Sequence, residues 1–456
     1  MNHRNKILYF IGIGGIGMSA LARWYKHQGA IIYGYDLVNS PLTDELINEG
    51  MIIHFDENIN KLPENIDLVI YTPAIPSNNT ELVYLKNKGI SIIKRAEVIG
   101  QISKDYNTIA IAGTHGKTSI SALIAHLLVH ANINVSAFVG GICNNYNSNL
   151  ILSSSTDYLI IEADEYDRSL LQIEPNIAVI SSMDKDHLDI YQNHDDIKNT
   201  FRLFAQKLPQ NGLLIHNSKL EPFDDAPGKH LTYGTNTNAD IRASNIRVAN
   251  TKFIIDVDTE IGKIKNLEIQ VPGIHNIENT LAAIAIAIKV GLSLDEIKSG
   301  ITTFKGVARR MDFKIINADH IFIDDYAHHP EEIKATISAV KQLYPDKKIT
   351  GIFQPHLFSR TRDFQDEFAF ELNKLDEIIL MEIYPAREKP IKGISSQTII
   401  NKIKNRNVVQ LTKEEILNHL SKEKPEVLLT MGAGDIGLLA KQIEAQYKNT
   451  PADSAG

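Results

Sequence analysis

Two glycine-rich loops in the sequence have the spacing of phosphate-binding loops. The first, Gly12-Ile13-Gly14-Gly15-Ile16-Gly17, comes after an apolar run and before a helix-like segment. Glycines at these positions let the backbone approach a diphosphate at a helix N-terminus. Asp36 follows nineteen residues after Gly17, where a carboxylate can accept hydrogen bonds from ribose hydroxyls. The pattern predicts a nucleotide diphosphate site, for either a nicotinamide cofactor or a UDP-linked substrate, with a purely structural turn as the alternative.

The second loop, Gly113-Thr114-His115-Gly116-Lys117-Thr118, predicts a site for a nucleoside triphosphate. Backbone N–H groups would cradle the phosphates, Lys117 would neutralise the β and γ charge, and the Thr118 hydroxyl would ligate Mg²⁺. The usual first glycine of the GxxxxGK[ST] pattern is absent, because Ile111 holds that place. The order of strand, loop and helix still favours phosphate binding.

Carboxylates and an imidazole cluster after two later strands. Glu162-Ala163-Asp164-Glu165-Tyr166-Asp167 places four carboxylates at a strand end, where their repulsion requires cations or basic side chains. Asp184-Lys185-Asp186-His187-Leu188-Asp189 adds an imidazole between acids. Oxygen-rich sites with one imidazole suit Mg²⁺ or Mn²⁺ better than zinc. The two segments predict a metal site, with a solvated acidic loop as the alternative.

Three later motifs carry polar side chains suited to ligand binding. His275-Asn276-Ile277-Glu278-Asn279 opens a helix, where the amides would either cap the helix or contact an adenine edge. Asp324 to Pro330 forms a rigid polar turn with two histidines, unless it is only a solvated turn. Gln354 to Asp363 offers a histidine and two arginines, which suit a carboxylate or phosphate clamp or else surface salt bridges.

Short β-rich runs alternate with helix-like segments, which predicts an α/β fold with parallel sheets and crossover helices. Strands are predicted at Ile7–Ile11, Ile31–Tyr35, Leu68–Thr72, Ser91–Lys94, Thr108–Ala112, Tyr158–Glu162, Ala178–Ser181, Ile321–Asp324, Lys348–Phe353, Glu377–Met381 and Val427–Thr430. Helices are predicted at Met18–Gln28, Leu42–Glu49, Ser119–His130 and Glu278–Val290. Motif placement predicts three domains, at residues 1–105, 106–307 and 308–456.

Composition narrows the function classes. The chain has 456 residues, 43% of them hydrophobic, and a formal net charge of −8. These values are typical of a multidomain globular enzyme, and they argue against wholesale disorder and against DNA binding. No apolar stretch reaches the ~18 residues that span a bilayer. The single cysteine, Cys143, excludes an intrachain disulfide, so we expect a cytoplasmic protein.

Seven segments, in order and spread over nearly the whole chain, resemble the motifs of the Mur ligases. They are Gly12–Ser19, Ala112–Thr118, Glu162–Asp167, Asp186–Asp189, Pro272–Asn279, Asp324–Pro330 and Phe353–Asp363. The resemblance implies a Rossmann-like N-terminal domain that holds UDP, a P-loop ATPase-like central domain and a Rossmann-like C-terminal domain that closes over an amino acid. It also implies an ATP- and Mg²⁺-dependent (or Mn²⁺-dependent) ligase of peptidoglycan precursor synthesis, which joins the carboxylate of UDP-N-acetylmuramate to L-alanine through an acyl phosphate.

The resemblance also implies roles for individual residues. Binding of the UDP-substrate is expected of Gly14, Gly15, Gly17, Met18, Ser19, Asp36 and Thr72. Binding of ATP is expected of Gly113, Thr114, His115, Gly116, Lys117, Thr118, Ser119, Asn276, Asn279, Arg310 and Asp325. Metal ligation is expected of Thr118, Glu162 and His187. Catalytic roles are expected of Lys117, His187, His328, Arg360 and Arg362, the two arginines as carboxylate clamps, with Asp325 and Tyr326 lining the site.

Two alternatives stay open at this point. Glu165-Tyr166-Asp167 resembles the motif of the murein ligase that reattaches a recycled tripeptide, so a tripeptide acceptor competes with alanine. Arg202 occupies the region where later-acting Mur ligases carry a carbamylated lysine, which favours the alanine-adding reaction. The first loop and Asp36 alone also fit an NAD-dependent dehydrogenase, although Lys117 and its loop would then have no role.

Overall fold

A computed structural model describes residues 3–185, 190–191, 193–236, 238–317, 319–386 and 388–449. The chain divides into two compact units. The first unit contains residues up to Asn245, with Ile255–Leu267 and Glu278–Lys305. The second contains Ile246–Ile254, Glu268–Ile277 and the residues from Gly306 onward.

The first unit begins with a parallel sheet of Rossmann type. Its strands are β1 (Ile7–Ile11), β2 (Ile31–Tyr35), β3 (Ile52–His54), β4 (Leu68–Tyr71) and β5 (Ile92–Lys94), in the order β3-β2-β1-β4-β5. The accompanying helices are α1 (Ile16–His27), α2 (Pro41–Asn48), α3 (Thr80–Asn87) and α4 (Arg95–Ser103). The first glycine loop therefore joins β1 to α1, and Asp36 follows β2, at the edge where parallel sheets bind nucleotides.

A larger sheet runs through the central part of the chain. Its strands in the described residues are β6 (Asn107–Ala112), β7 (Val135–Cys143), β8 (Ser148–Ile151), β9 (Tyr158–Ala163), β10 (Ile177–Ile180), β11 (Leu213–Asn217), β12 (Lys229–Gly234), β13 (Ile241–Ala249), β14 (Lys252–Thr259) and β15 (Gly262–Ile269). Their order is β15-β14-β13-β12-β11-β10-β6-β9-β7-β8. The helices are α5 (Lys117–His130), α6 (His194–Ala205), α7 (Ile274–Val290) and α8 (Leu294–Thr303). Strand β6 pairs in parallel with both β9 and β10, so the segments that follow these three strands meet at one edge.

The second unit holds a third sheet. Its strands are β16 (Asp312–Ile316), β17 (Ile321–Asp325), β18 (Ile349–Phe353), β19 (Glu377–Leu380), β20 (Val408–Gln410) and β21 (Val427–Met431), in the order β16-β17-β21-β18-β19-β20. The helices are α9 (Pro330–Leu343), α10 (Phe358–Leu372), α11 (Ser396–Ile400), α12 (Lys413–Lys422) and α13 (Ile436–Asn449). His329 caps α9 and Pro330 occupies its first turn, which fixes where the polar turn ends.

The predicted α/β fold class with parallel sheets is confirmed, and two of the described strand pairs depart from the parallel arrangement. Strands β7 and β8 pair antiparallel, and so do β16 and β17. Each pair is joined by four residues, too few for the crossover that parallel strands need. Helix α7 begins four residues before the predicted start at Glu278. The sequence pattern did not predict α3 or α4, whose apolar stripes are short.

A continuous apolar core joins the first two sheets within the first unit. The Trp24 ring of α1 lies 5.3 Å from the Phe138 ring of β7 and 5.9 Å from the Tyr106 ring. These contacts hold α1 against the central sheet. The ranges of the three predicted domains stay predictions. Among the helices described, none combines the length and apolar character needed to cross a bilayer.

Candidate active site

The second glycine loop lies between β6 and α5 and has the backbone conformation that its glycines allow. Gly113 and Gly116 have φ of +134° and +86°, in the region where other residues are strained. A Cβ on Gly113 would overlap the Ser181 hydroxyl, and one on Gly116 would overlap the Asn279 amide. Both glycines are therefore required by backbone conformation and by close neighbours, which leaves the loop open for a ligand at the N-terminus of α5.

Lys117 begins α5 and is held by two oxygens. Its Nζ donates to the carbonyl of Gly113 at 2.6 Å and to Oε2 of Glu165 at 2.7 Å. Burial lowers the pKa of Lys117, but the carboxylates of Glu165 and Asp164 outweigh burial, and the net pKa is raised. Lys117 is therefore a protonated, preoriented cation, although its partner in this state is a carboxylate rather than a phosphate.

Glu162, at the end of β9, lies beside the first turn of α5. Its carboxylate accepts hydrogen bonds from the Thr118 hydroxyl at 3.1 Å, the Ser121 hydroxyl at 3.0 Å and the backbone N–H of Gly140. Burial raises the pKa of Glu162 above its usual range, against these donors and the charge of Lys117. Two of the three predicted metal ligands, Thr118 and Glu162, are thus adjacent.

The third predicted metal ligand, His187, lies outside the described residues, so its metal and catalytic roles stay predictions.

The serines that follow β10 reach the second glycine loop from the other side. Ser182 Oγ lies 2.8 Å from the Thr114 hydroxyl and accepts from the backbone N–H of His115 at 2.9 Å. Ser182 was missed by the sequence reasoning, because only the parallel pairing of β6 and β10 brings it to the loop.

The first glycine loop is closed by Asp36. The carboxylate accepts from the backbone N–H of Gly14 at 2.7 Å and from that of Val38 at 3.2 Å. A Cβ on Gly14 would lie 2.8 Å from Asp36 Oδ2, which explains the glycine. Asp36 therefore organises the loop in this structure, and its predicted bond to a ribose stays a prediction.

The other predicted UDP-site residues divide between the loop and the core. Gly15 caps α1 after the turn from β1, Gly17 lies in the first turn of α1, and Thr72 packs its methyl group against Gly12. Met18 and Ser19 are buried on α1. Burial gives these two side chains packing roles, and their predicted contact with a substrate is not tested.

Basic side chains lie between the first glycine loop and the acidic motif. Arg95 packs over Gly17, where a Cβ would lie 2.8 Å from Nη1, and its Nη2 lies 3.8 Å from Oδ2 of Asp164. Lys94 donates to Asp167 at 3.2 Å. The expected repulsion between the carboxylates of Glu162 to Asp167 is thus relieved by Lys117, Lys94 and Arg95.

The two asparagines of α7 have different surroundings. The side chain of Asn279 lies over Gly116 of the second glycine loop. Asn276 is buried and its Nδ2 donates to the carbonyl of Pro272 at 2.8 Å, a local bond at the start of the helix. The structure therefore brings Asn279 to the phosphate loop and gives Asn276 a local bond, while the predicted contacts of both residues with ATP stay predictions.

In the second unit, two guanidinium groups contact the ring of Tyr326. The Cζ atoms of Arg309 and Arg310 are 5.1 and 5.0 Å from the ring centroid. Asp325 accepts from the backbone N–H groups of Met311 at 2.7 Å and Ala327 at 2.8 Å. Burial raises the pKa of Asp325 to about 6, although Arg310 opposes this shift. Asp325 thus fixes the turn after β17 that carries Tyr326.

The remaining predicted catalytic residues also lie in the second unit. His328 Nδ1 is 2.9 Å from the carbonyl of Tyr326, and its ring meets that of His356 edge-on at 5.8 Å. Arg360 is partly exposed in the first turn of α10. Arg362 is exposed and its Nε donates to Asp363 at 2.6 Å. The predicted carboxylate clamp of Arg360 and Arg362 stays a prediction.

The three sheets and their motif-bearing edges correspond to one known family. Residues 7–107 match the model described as Mur ligase family, catalytic domain; residues 111–287 match the Mur ligase middle domain; residues 309–434 match the Mur ligase, glutamate ligase domain. The chain belongs to the Mur ligase family. Membership argues against the dehydrogenase alternative, which used only the first of these regions.

Individual Mur ligases match over nearly the whole chain. The UDP-N-acetylmuramate–L-alanine ligase of Flavobacterium psychrophilum is 46% identical over 443 residues, which is 96% of this chain and 97% of that protein. The solved structure of the UDP-N-acetylmuramate–alanine ligase of Thermotoga maritima has a TM-score of 0.84 at 26% identity and covers 97% of this chain and 99% of that one. A murein peptide ligase of Psychrobacter arcticus shares the fold, with a TM-score of 0.72 at 21% identity, covering 98% of this chain and 100% of that one.

Proposed function

We propose that this Mur ligase uses ATP to join the carboxylate of UDP-N-acetylmuramate to L-alanine, a step of peptidoglycan precursor synthesis. The observation that carries the proposal is the pair of nucleotide loops at the carboxyl edges of two sheets in one compact unit. The 46% identity to an alanine-adding relative supports alanine as the acceptor. A cytoplasmic location belongs to the same proposal and is supported by a lone, buried cysteine.

The chemistry divides into two steps. The muramoyl carboxylate attacks the γ-phosphorus of ATP, which forms an acyl phosphate and releases ADP. The neutral amine of L-alanine then attacks the acyl carbon, and the tetrahedral intermediate expels phosphate to give the amide. Lys117, already protonated and aimed at the loop by Gly113, would offset the charge on the transferred phosphoryl group. To do so it must leave Glu165 for the phosphate.

The residues beside Lys117 fit a hard divalent cation. Thr118 and Glu162 offer a hydroxyl and a carboxylate oxygen 3.1 Å apart, and Mg²⁺ is usually held by one or two carboxylates together with substrate phosphates. Among the described residues, no group of three or more His, Cys, Asp and Glu side chains is placed to hold a metal ion, and the predicted ligand His187 lies outside those residues. Bound Mg²⁺ would neutralise charge on the ATP phosphates. The same oxygen ligands would also suit Mn²⁺.

Measuring phosphate release tests the proposal directly. The purified protein is mixed with ATP, Mg²⁺ and UDP-N-acetylmuramate, and then with L-alanine, with the L-alanyl-γ-D-glutamyl-diaminopimelate tripeptide or with no acceptor. We expect release with L-alanine alone. Release with the tripeptide alone would assign the protein to cell-wall recycling, and no release with either acceptor would reject the ligase activity. Lys117→Met serves as the inactive control.

A further inference from the structure

Asn149 of β8 makes a specific contact between the two nucleotide-binding sheets of the first unit. Its side chain is completely buried, at 0% exposure. The amide Nδ2 donates to the carbonyl of Ile16 at 2.6 Å and to the hydroxyl of Ser19 at 2.8 Å. The amide oxygen accepts from Nη1 of Arg23 at 2.5 Å. Both donor hydrogens and the acceptor of this one side chain are therefore used on a single helix, α1.

The three partners lie on one face of α1, at spacings of three and four residues. Ser19 Oγ also donates to the Ile16 carbonyl, at 2.9 Å. Arg23 is held from its other side by Glu45 at 3.1 Å and Glu49 at 2.6 Å. The face that Asn149 contacts is thus also held by bonds that do not involve Asn149, and the amide supplies the donors and the acceptor that this face can pair with.

Through Ile16, the Asn149 contact acts on the end of α1 that lies next to the first glycine loop. Ile16 is the first residue of α1 and belongs to the glycine motif, so a bond to its carbonyl holds the end of the helix that carries the loop. Strand β8 pairs with β7, and β7 pairs with β9, which ends near Glu162 beside the second glycine loop. A path through Asn149 and the paired strands β8, β7 and β9 therefore connects the two loops.

We propose that Asn149 is a positioning residue, which sets the first glycine loop relative to the second so that the carboxylate of the UDP-linked substrate reaches the ATP γ-phosphate. Phosphoryl transfer depends on placing two reactants within near-attack distance, and a misplacement of about 1 Å costs on the order of 100-fold in rate. This proposal rests on the proposed function. The experiment must therefore distinguish a misplaced substrate carboxylate from a protein that has no ligase activity.

The test compares variants in the phosphate-release assay with L-alanine. Asn149→Asp keeps the size of the side chain and the acceptor for Arg23, but it removes both donors and sets a carboxylate oxygen against the Ile16 carbonyl. Ser148→Ala is the matched control on the same strand, since its hydroxyl accepts from the backbone N–H of Leu150 at 3.1 Å, a contact within β8 itself. ATP affinity is measured separately, by equilibrium binding without the UDP-linked substrate.

We expect Asn149→Asp to lower kcat/KM for UDP-N-acetylmuramate by at least about tenfold, with ATP affinity within about twofold of the wild type. Ser148→Ala should stay within about twofold on both measures. Ser19→Ala, which removes one of the three bonds, should change kcat/KM in the same direction by a smaller factor, and it replaces Asn149→Asp if that variant does not fold.

Three results would overturn the inference. The first is a wild-type kcat/KM in folded Asn149→Asp, or in Ser19→Ala where that variant takes its place. The second is an equal loss of ATP affinity, which would mean a general structural role. The third is a wild type that releases no phosphate with L-alanine, which rejects the proposed function and this inference together, whereas the first two results leave the ligase activity standing.

Discussion

The pairing of Lys117 with Glu165 predicts a stability difference that can be measured without any substrate. Both side chains are largely buried, with 16% and 2% of their surfaces exposed. Glu165→Gln removes the charge that faces the ammonium group. Removing one partner of a buried ion pair typically costs about 3–5 kcal/mol. In the Glu165→Gln variant, Lys117 still donates to the Gly113 carbonyl and still lies near Glu162, and the glutamine oxygen can still accept a hydrogen bond. We therefore expect the substitution to lower the free energy of unfolding by about 2–3 kcal/mol.

Asp164→Asn is the matched control in the same motif. Asp164 lies 3.8 Å from Arg95 and its side chain is 40% exposed. Asp164→Asn should therefore lower the free energy of unfolding by at most about 1 kcal/mol. Urea unfolding followed by the fluorescence of Trp24 is a suitable assay, because this sole tryptophan is buried in the same compact unit as the ion pair. The Glu165→Gln curve should shift to lower urea and the Asp164→Asn curve should barely move.

Saturating ATP and Mg²⁺ should narrow the gap between Glu165→Gln and the wild type, since phosphate would replace Glu165 as the partner of Lys117. Equal shifts for the two variants would refute the reasoning, and so would a Glu165→Gln protein as stable as the wild type. A gap that ATP leaves unchanged would refute the exchange of partners while leaving the stability argument intact.

Three further predictions use single positions. Asp325, whose pKa is raised by burial from 3.8 to about 6, stabilises the fold less as pH rises from about 4 to 6, by up to about 3 kcal/mol. Asp325→Asn should therefore lose less calorimetric stability than the wild type over that interval, and parallel pH profiles would contradict this. Gly116→Ala should lower phosphate release at least about tenfold, whereas Gly291→Ala, also at positive φ but in open space, should not, as the same assay will show. Burial raises the pKa of Cys143 to about 11, so a disulfide reagent should label the native protein about 100-fold more slowly than the urea-unfolded protein; comparable rates would mean that the thiol is accessible.

Much of the fold could be predicted from local patterns. Strands of apolar residues and the glycine loops that follow them are local features, so β1, β2 and β6 were predicted correctly together with the α/β class. The β7–β8 and β16–β17 hairpins were not, because β7, β8 and β16 were not predicted as strands and because an apolar pattern leaves the direction of a strand open.

The chemistry of the phosphate loop could be predicted from local sequence, because Gly116, Lys117 and Thr118 are adjacent in the chain and the geometry of such a loop depends on neighbours. The partners of these groups come from distant parts of the chain and follow from tertiary packing. Glu165 reaches Lys117 across 48 residues and Asn149 reaches Ile16 across 133, through strand pairing and the packing of α1 on the central sheet. Such contacts depend on how whole elements pack, because the position of one side chain follows from every residue that holds its strand or helix in place.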